Sequence, residues 1–267
     1  MTLGFLGSGK MATALASGVI RSGALAAGDV VVSDIDPAAS TKLADATGAR
    51  RVEGNEELAR SADALLLCVK PADALSALEA LRPVLEGKLV ISIVAGVSTN
   101  SLEDSAGTGA RVVRVMPNTP ALVNAGAAAY ALGSGATSAD AALTEQIFGA
   151  VGSVCRVREE MLDAVTGVSG SGPAFVYLMI EAFADGGVLM GLPRDLSLHL
   201  AAQTVAGAAK MVLESGQHPA ALRDQVTSPG GTTAAGLEAL EMHGARAALL
   251  AAVRAATGRS RELGSPK

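Results

Sequence analysis

Short, mostly apolar runs alternate with helical segments along the first part of the chain. Thr2–Leu6, Val30–Ser33, Ala64–Val69, Leu89–Val94 and Arg111–Met116 read as buried strands. Met11–Ser22, Pro37–Thr47 (closed by Gly48) and Asp73–Leu85 read as helices between them. Strands without a polar face, alternating with helices, predict a parallel sheet covered on both sides. From Met161 to Leu263 no β run is visible. Apolar residues recur there at helical spacing in Phe175–Met190, Leu196–Leu213, Ala234–Leu240 and Ala245–Ala256. The pattern predicts an α/β Rossmann-type domain over 1–158 and an all-α domain over 159–267, with a boundary near Val157–Met161 set by the change of period.

Composition sharpens this picture. Of 267 residues, 49% are hydrophobic and 18% charged, which is a folding composition. Ala supplies 53 positions and Gly 31, while aromatics are 2% and Trp is absent. The core must therefore be built from Ala, Val, Leu and Ile, with closely packed helices. The helices of the second half are apolar on nearly all faces. That is more apolar surface than one such domain buries alone, so a partner copy is expected rather than a monomer.

The net charge of −5, without a basic stripe or stacking aromatics, argues against nucleic acid. Cys68 and Cys155 lie far apart, and His199, His218 and His243 are scattered, so neither a disulfide framework nor a metal site is expected. The chain enters Thr2–Leu6 without a basic leader. The uncharged stretch from Val115 to Ala139 is broken by Pro117, Pro120 and several glycines. The expectation is a soluble cytoplasmic protein without membrane association.

Gly7-Ser8-Gly9-Lys10-Met11-Ala12 follows the first strand and opens the first helix. Gly7 suits the tight turn, Gly9 a close approach of backbone to a pyrophosphate, and Ala12 close helix–strand packing. The helix start offers free N–H groups to the anion. The second strand ends in Ser33-Asp34-Ile35-Asp36. Asp34 stands 22 residues beyond Ala12, where a carboxylate can hold the adenosine ribose and favours NADH. Alternatively Asp34 or Asp36 caps the Pro37 helix, and Ser33 could meet a 2′-phosphate. Cys68-Val69-Lys70-Pro71, Val94-Ala95-Gly96 and Met116-Pro117-Asn118 end the next strands on the same side of the sheet. Lys70 there can meet a phosphate or ribose, the small residues admit a nicotinamide, and Asn118 offers amide hydrogen bonds.

Two more loops stand beside predicted helices: Ser169-Gly170-Ser171-Gly172-Pro173-Ala174 and Thr227-Ser228-Pro229-Gly230-Gly231-Thr232-Thr233. Each reads either as a backbone nest for an anion or as a capped interhelix turn. Paired with a dinucleotide domain, they suggest a carboxylate substrate.

With these motifs the sequence resembles the pyrroline-5-carboxylate reductases over nearly its whole length: GFLGSGKMA at Gly4, CVKP at Cys68, VAGVS at Val94, MPNTP at Met116, DAVTGVSGSGPAF at Asp163, ADGGVLMGLPR at Ala184 and TSPGGTTAAGL at Thr227. The resemblance implies reduction of 1-pyrroline-5-carboxylate to L-proline with NADPH or NADH. It implies that Leu6 to Met11 lie against the pyrophosphate and that Ser33, Asp34 and Asn55 meet the adenosine side. Val69, Lys70 and Pro71 would line the dinucleotide, with Ala95, Gly96 and Asn118 nearer the nicotinamide. Ser171, Gly172, Ser228, Gly230, Gly231 and Thr232 would surround the substrate, with Thr233 on the ring nitrogen as the catalytic hydroxyl and Glu159 approaching from the domain junction. It further implies a homodimer with interleaved helical domains, so that one site draws on two chains, and larger rings of dimers. Asp34 departs from NADPH-preferring relatives, which often carry a neutral or basic residue there.

Two other readings compete. A β-hydroxyacid dehydrogenase places a Lys on the helix after its Gly-rich loop, whereas Pro173 to Glu181 holds none. A non-catalytic dinucleotide sensor would have no need to retain both substrate loops.

Overall fold

The computed structural model describes residues 1–264, so the last three positions of the predicted second domain lie outside the described residues. The chain divides into two compact units, Met1–Ser171 with the stretch from Ala255, and Gly172–Arg254.

The first unit is built on eight strands: β1 Leu3–Leu6, β2 Val30–Ser33, β3 Arg50–Arg51, β4 Ala64–Leu67, β5 Leu89–Ser92, β6 Arg111–Met116, β7 Gly126–Leu132 and β8 Gly152–Arg156. Their order in the sheet is β3-β2-β1-β4-β5-β6-β7-β8. β1 pairs in parallel with β2 on one side and with β4 on the other. Strand order therefore reverses at β1, and the crevice beyond the carboxyl ends of β1 and β4 is the place where such sheets bind ligands. The sheet is not wholly parallel. β7 runs antiparallel to β6, and β8 follows β7.

The strand residues divide by parity between two cores, as strands buried on both faces must. Leu3, Phe5, Val30, Val32, Leu66 and Ile91 face one side, where α1 (Lys10–Arg21), α2 (Pro37–Thr47) and, later in the chain, Ser138–Gly149 cover them. Leu6, Val31, Leu65, Leu67 and Val90 face the other, beneath α3 (Asn55–Ser61), α4 (Ala74–Leu81) and α5 (Thr99–Ala106). The helix Ser138–Gly149 is α6.

After β8 the chain is helical. A short α7 (Leu162–Val165) runs through a π-helical turn, Thr166–Gly170, toward α8. The second unit holds α8 (Gly172–Leu189), α9 (Arg194–Ser215), α10 (Pro219–Gln225), α11 (Thr232–Met242) and the start of α12 (Ala245–Gly264). Only Ala184, Ser197 and Ala201 are buried along α8 and α9. Tyr177, Leu178, Phe183, Leu189, Met211 and Leu213 are exposed. The helical paths Glu159–Leu189 and Arg194–Ser215 are long and apolar enough, by length and composition, to cross a membrane. The Pro-broken uncharged stretch from Val115 forms the end of β6, a 3-10 turn and β7.

Candidate active site

Gly7 occupies the tight turn after β1 with φ +100°. A β-carbon there would stand 2.8 Å from the Cys68 carbonyl oxygen, so the residue must be glycine both for its backbone and for the close approach of β4. The Gly7 N–H donates to the Ser33 carbonyl at 2.8 Å. The ends of β1, β2 and β4 are thus drawn together within one turn.

Gly9 is the N-cap of α1 and provides no side-chain cap, so the first N–H groups of the helix keep their hydrogens for a ligand. A β-carbon on Gly9 would meet nothing within 4 Å; that space lies open. Ser8 is 7% exposed and its hydroxyl is buried without a hydrogen-bond partner. A buried orphan hydroxyl at an uncapped helix start is what a bound pyrophosphate would satisfy. These residues fit a dinucleotide.

A cleft of ≈ 470 Å³ opens here. Leu6, Gly7, Gly9, Asp34, Asn55, Val69 and Lys70 line it, so the structure brings together seven residues the sequence singled out. Pro71 opens the adjoining 3-10 turn, and Lys10 and Met11 form the first turn of α1. Five lining residues went unpredicted: Ile35, Cys68, Asp73, Ser76 and Ala77. Asp73, Ser76 and Ala77 recur at helical spacing directly after Lys70, a signal that could have found them. Burial pushes the Cys68 thiol well above its ordinary range, which favours the neutral thiol.

The two carboxylates at the end of β2 make different bonds. Asp36 is the cap of α2 and accepts the Ala38 N–H at 3.0 Å. Asp34 accepts the Ser8 N–H at 2.6 Å and the Asp36 N–H at 2.9 Å. Ser33 is buried, and its hydroxyl donates to Asn55 Oδ1 at 3.0 Å, so it is not presented to a phosphate.

Three of the expected site residues also make structural contacts of their own. Asn118 is buried, with its Oδ1 accepting the Ala127 N–H at 2.8 Å and its Nδ2 donating to the Ser169 carbonyl at 3.1 Å. It ties β6 to β7 and to the π turn, leaving one amide hydrogen for any ligand. Gly96, expected beside a nicotinamide, has φ +75°, and a β-carbon there would come within 3.4 Å of Leu263 on the last turn of α12. Ala95 beside it is exposed. Glu159 is the most firmly held of the three. Its carboxylate accepts the Thr99 N–H at 2.7 Å, the Thr99 hydroxyl and Arg114 Nη1 at 3.0 Å. Burial raises its pKa, but these donors outweigh burial and hold it below the usual carboxylate range. Glu159 braces α5 to β6.

The two predicted anion loops differ. Ser169 to Ser171 form no nest, because the Ser171 N–H is spent on the Thr166 carbonyl at 2.8 Å in the π turn. Gly172 then begins α8. In the second unit, Ser228-Pro229-Gly230-Gly231 is a β-turn closed by the Gly231 N–H on the Ser228 carbonyl at 3.0 Å. Pro at the second position and Gly230 at φ +68° are what a type II turn requires. Gly231 has its N–H engaged and caps α11 without a side chain. The available donors are therefore the N–H groups of Thr232, Thr233 and Ala234, one step beyond Gly230 and Gly231.

Comparison with known proteins agrees with this architecture. Residues 159–263 match the family model described as pyrroline-5-carboxylate reductase dimerisation, and residues 2–96 match that of the coenzyme F420-dependent NADP oxidoreductases. A pyrroline-5-carboxylate reductase of Methanosarcina acetivorans is 48% identical over 98% of this chain and 97% of its own. The structure of a pyrroline-5-carboxylate reductase from Coxiella burnetii, 34% identical, superposes with a TM-score of 0.94 over 99% of both chains. The Plasmodium falciparum pyrroline carboxylate reductase with NADP bound, 37% identical, gives 0.90 over 99% of this chain and 98% of the other. Sequence and fold together place the chain in the pyrroline-5-carboxylate reductase family.

Proposed function

We propose that this enzyme reduces 1-pyrroline-5-carboxylate to L-proline with NADH or NADPH, the last step of proline synthesis. Residues 1–158 bind the dinucleotide, and residues 159–267 bind substrate and make the protein a homodimer. The observation that carries the reading is the uncapped start of α1, with the buried, unpartnered Ser8 hydroxyl beneath it and open space above Gly9.

A reduced nicotinamide, when bound, supplies the hydride. The chain's own residues bind and orient. Leu6 to Met11 hold the pyrophosphate, Asp34 and Asn55 the adenosine ribose, and Val69, Lys70 and Pro71 the flank of the dinucleotide. Ala95 and Gly96 leave room at the end of β5. The N–H groups that open α11, presented by the Ser228–Gly231 turn, hold the substrate carboxylate. Ser171 and Gly172, at the junction of the π turn and α8, shape the wall beside it. The Thr233 hydroxyl positions the ring nitrogen as it gains its proton. A protonated cyclic imine is already electrophilic, so orientation provides the main advantage and neither a metal nor a strong acid is required.

The apolar surface of α8 and α9 supports a partner copy as its cover rather than lipid. The reading is a cytoplasmic enzyme whose dimers draw each site from two chains and assemble further into rings. Light scattering tests the assembly.

The activity is tested by following NADH or NADPH oxidation on addition of pyrroline-5-carboxylate, against β-hydroxyacids run in reverse with NAD or NADP. Oxidation matched by proline formation is expected. Turnover with hydroxyacids alone would favour the dehydrogenase reading, and tight coenzyme binding without any turnover would favour a sensor.

A further inference from the structure

We propose that Asp34 makes this enzyme select NADH over NADPH, through a carboxylate fixed in place from two sides. The inference rests on the dinucleotide-binding reading above and deepens it to one of the two coenzymes.

Asp34 follows β2, at the part of the crevice where the adenosine ribose is read. Its Oδ2 accepts the Ser8 N–H at 2.6 Å and its Oδ1 the Asp36 N–H at 2.9 Å. Each oxygen keeps a further acceptor position, enough for the ribose hydroxyls. The side chain cannot swing aside to admit a 2′-phosphate without abandoning two backbone N–H groups. A fixed carboxylate against a phosphate is a repulsive element built against the wrong ligand.

The hydrogen-bond donors at the end of β2 and the start of α2 that could offset that repulsion are engaged elsewhere. The start of α2 is the obvious second phosphate holder. It begins with Pro37, which has no N–H, and its next N–H, from Ala38, is taken by Asp36 Oδ1 at 3.0 Å. The Ser33 hydroxyl is buried against Asn55. Ile35, 97% exposed, puts an apolar side chain on the rim. Lys70 is the one cation among the residues lining the cleft, and Asp73 lines it too. Lys42 and Arg51 line a different groove, over α2, and Arg51 Nε donates to Ser40 Oγ at 3.2 Å.

The test is the dissociation constant of each coenzyme for the purified full-length protein, measured without substrate by calorimetry. NADH is expected to bind tighter than NADPH by about tenfold or more, one decade per 1.4 kcal/mol. In Asp34→Ser the ratio should move toward NADPH by about tenfold or more. Asp34→Asn keeps one acceptor for the turn and should move it in the same direction, so a folding defect in the serine variant does not remove the test. Equal or tighter NADPH binding in the wild type, or an unchanged ratio in both variants, overturns the proposal while leaving the enzyme's activity standing. Failure of both coenzymes to bind overturns the proposal together with the reading beneath it.

Discussion

Gly7 and Cys68 approach so closely that a β-carbon on Gly7 would lie 2.8 Å from the Cys68 carbonyl oxygen. This contact joins the turn after β1 to the end of β4, the two strands between which the crevice opens. Gly7→Ala combines that clash with a φ of +100°, a conformation costing roughly 1–3 kcal/mol for a residue with a β-carbon. The variant should melt earlier and bind coenzyme more than about tenfold more weakly. An unchanged melting temperature would contradict the account of the turn.

Gly9, two residues away, should behave differently. Its φ of −69° suits any residue, and a β-carbon there meets nothing within 4 Å. Gly9→Ala should cost less than about 1 kcal/mol of stability and yet weaken coenzyme binding by about tenfold or more, because the methyl group occupies the space of the pyrophosphate. Calorimetric binding set beside a denaturation curve separates the two effects. Equal binding in variant and wild type would mean that the anion sits elsewhere.

Glu159 is expected to matter more to stability than to substrate. Arg114 opposite it is largely buried, with 12% of its side chain exposed. Glu159→Ala strands that guanidinium and the Thr99 N–H, a loss of about 1–3 kcal/mol, with KM for substrate nearly unchanged. Since the folded state holds the Glu159 pKa below its unfolded value, its contribution is complete above the unfolded pKa and fades as pH falls through the folded one. Urea midpoints of wild type and variant should differ by a constant amount above about pH 5 and converge in more acid solution. A raised KM with unaltered stability would restore Glu159 to the substrate site.

Leu178 on α8 is 66% exposed in the single chain. Leu178→Glu places a charge on the surface assigned to the second copy, and burying it there is costly. Light scattering should report the mass of a single chain, or an assembly that dissociates on dilution; an assembly of wild-type mass would move the interface off this face of α8.

Thr233 lies in the first turn of α11, among the N–H groups assigned to the carboxylate. Thr233→Ala should lower kcat/KM by about tenfold to a hundredfold, while NADH binding without substrate stays within about twofold. Wild-type kinetics would remove the hydroxyl from the mechanism.

Much of this was legible in the sequence because buried strands advertise themselves. β2 and β6 match their apolar runs end to end, and α2 begins at Pro37 and stops before Gly48 as capping rules dictate. β7 was not legible, since its Gly-Ala-Ala-Ala core has poor strand propensity and is held in the sheet by pairing with β6 and β8. β3 is two arginines long, too short for any period. At the site, the Gly7 turn could be read from local geometry alone. The hydrogen bonds of Asp34, Asn118 and Glu159 could not, because their partners lie 26, 51 and 60 residues away in sequence. Spacing identifies a carboxylate at a strand end but not which N–H groups it will find there.

The central claim is transfer of hydride from a bound reduced nicotinamide to the imine carbon of pyrroline-5-carboxylate. Its most direct test uses NADH deuterated at C4, each of the two diastereomers in turn, with the proline product examined by mass spectrometry and NMR. One diastereomer should deliver a single deuterium to C5 of proline and the other none. Unlabelled proline from both, or no proline at all, would contradict the account.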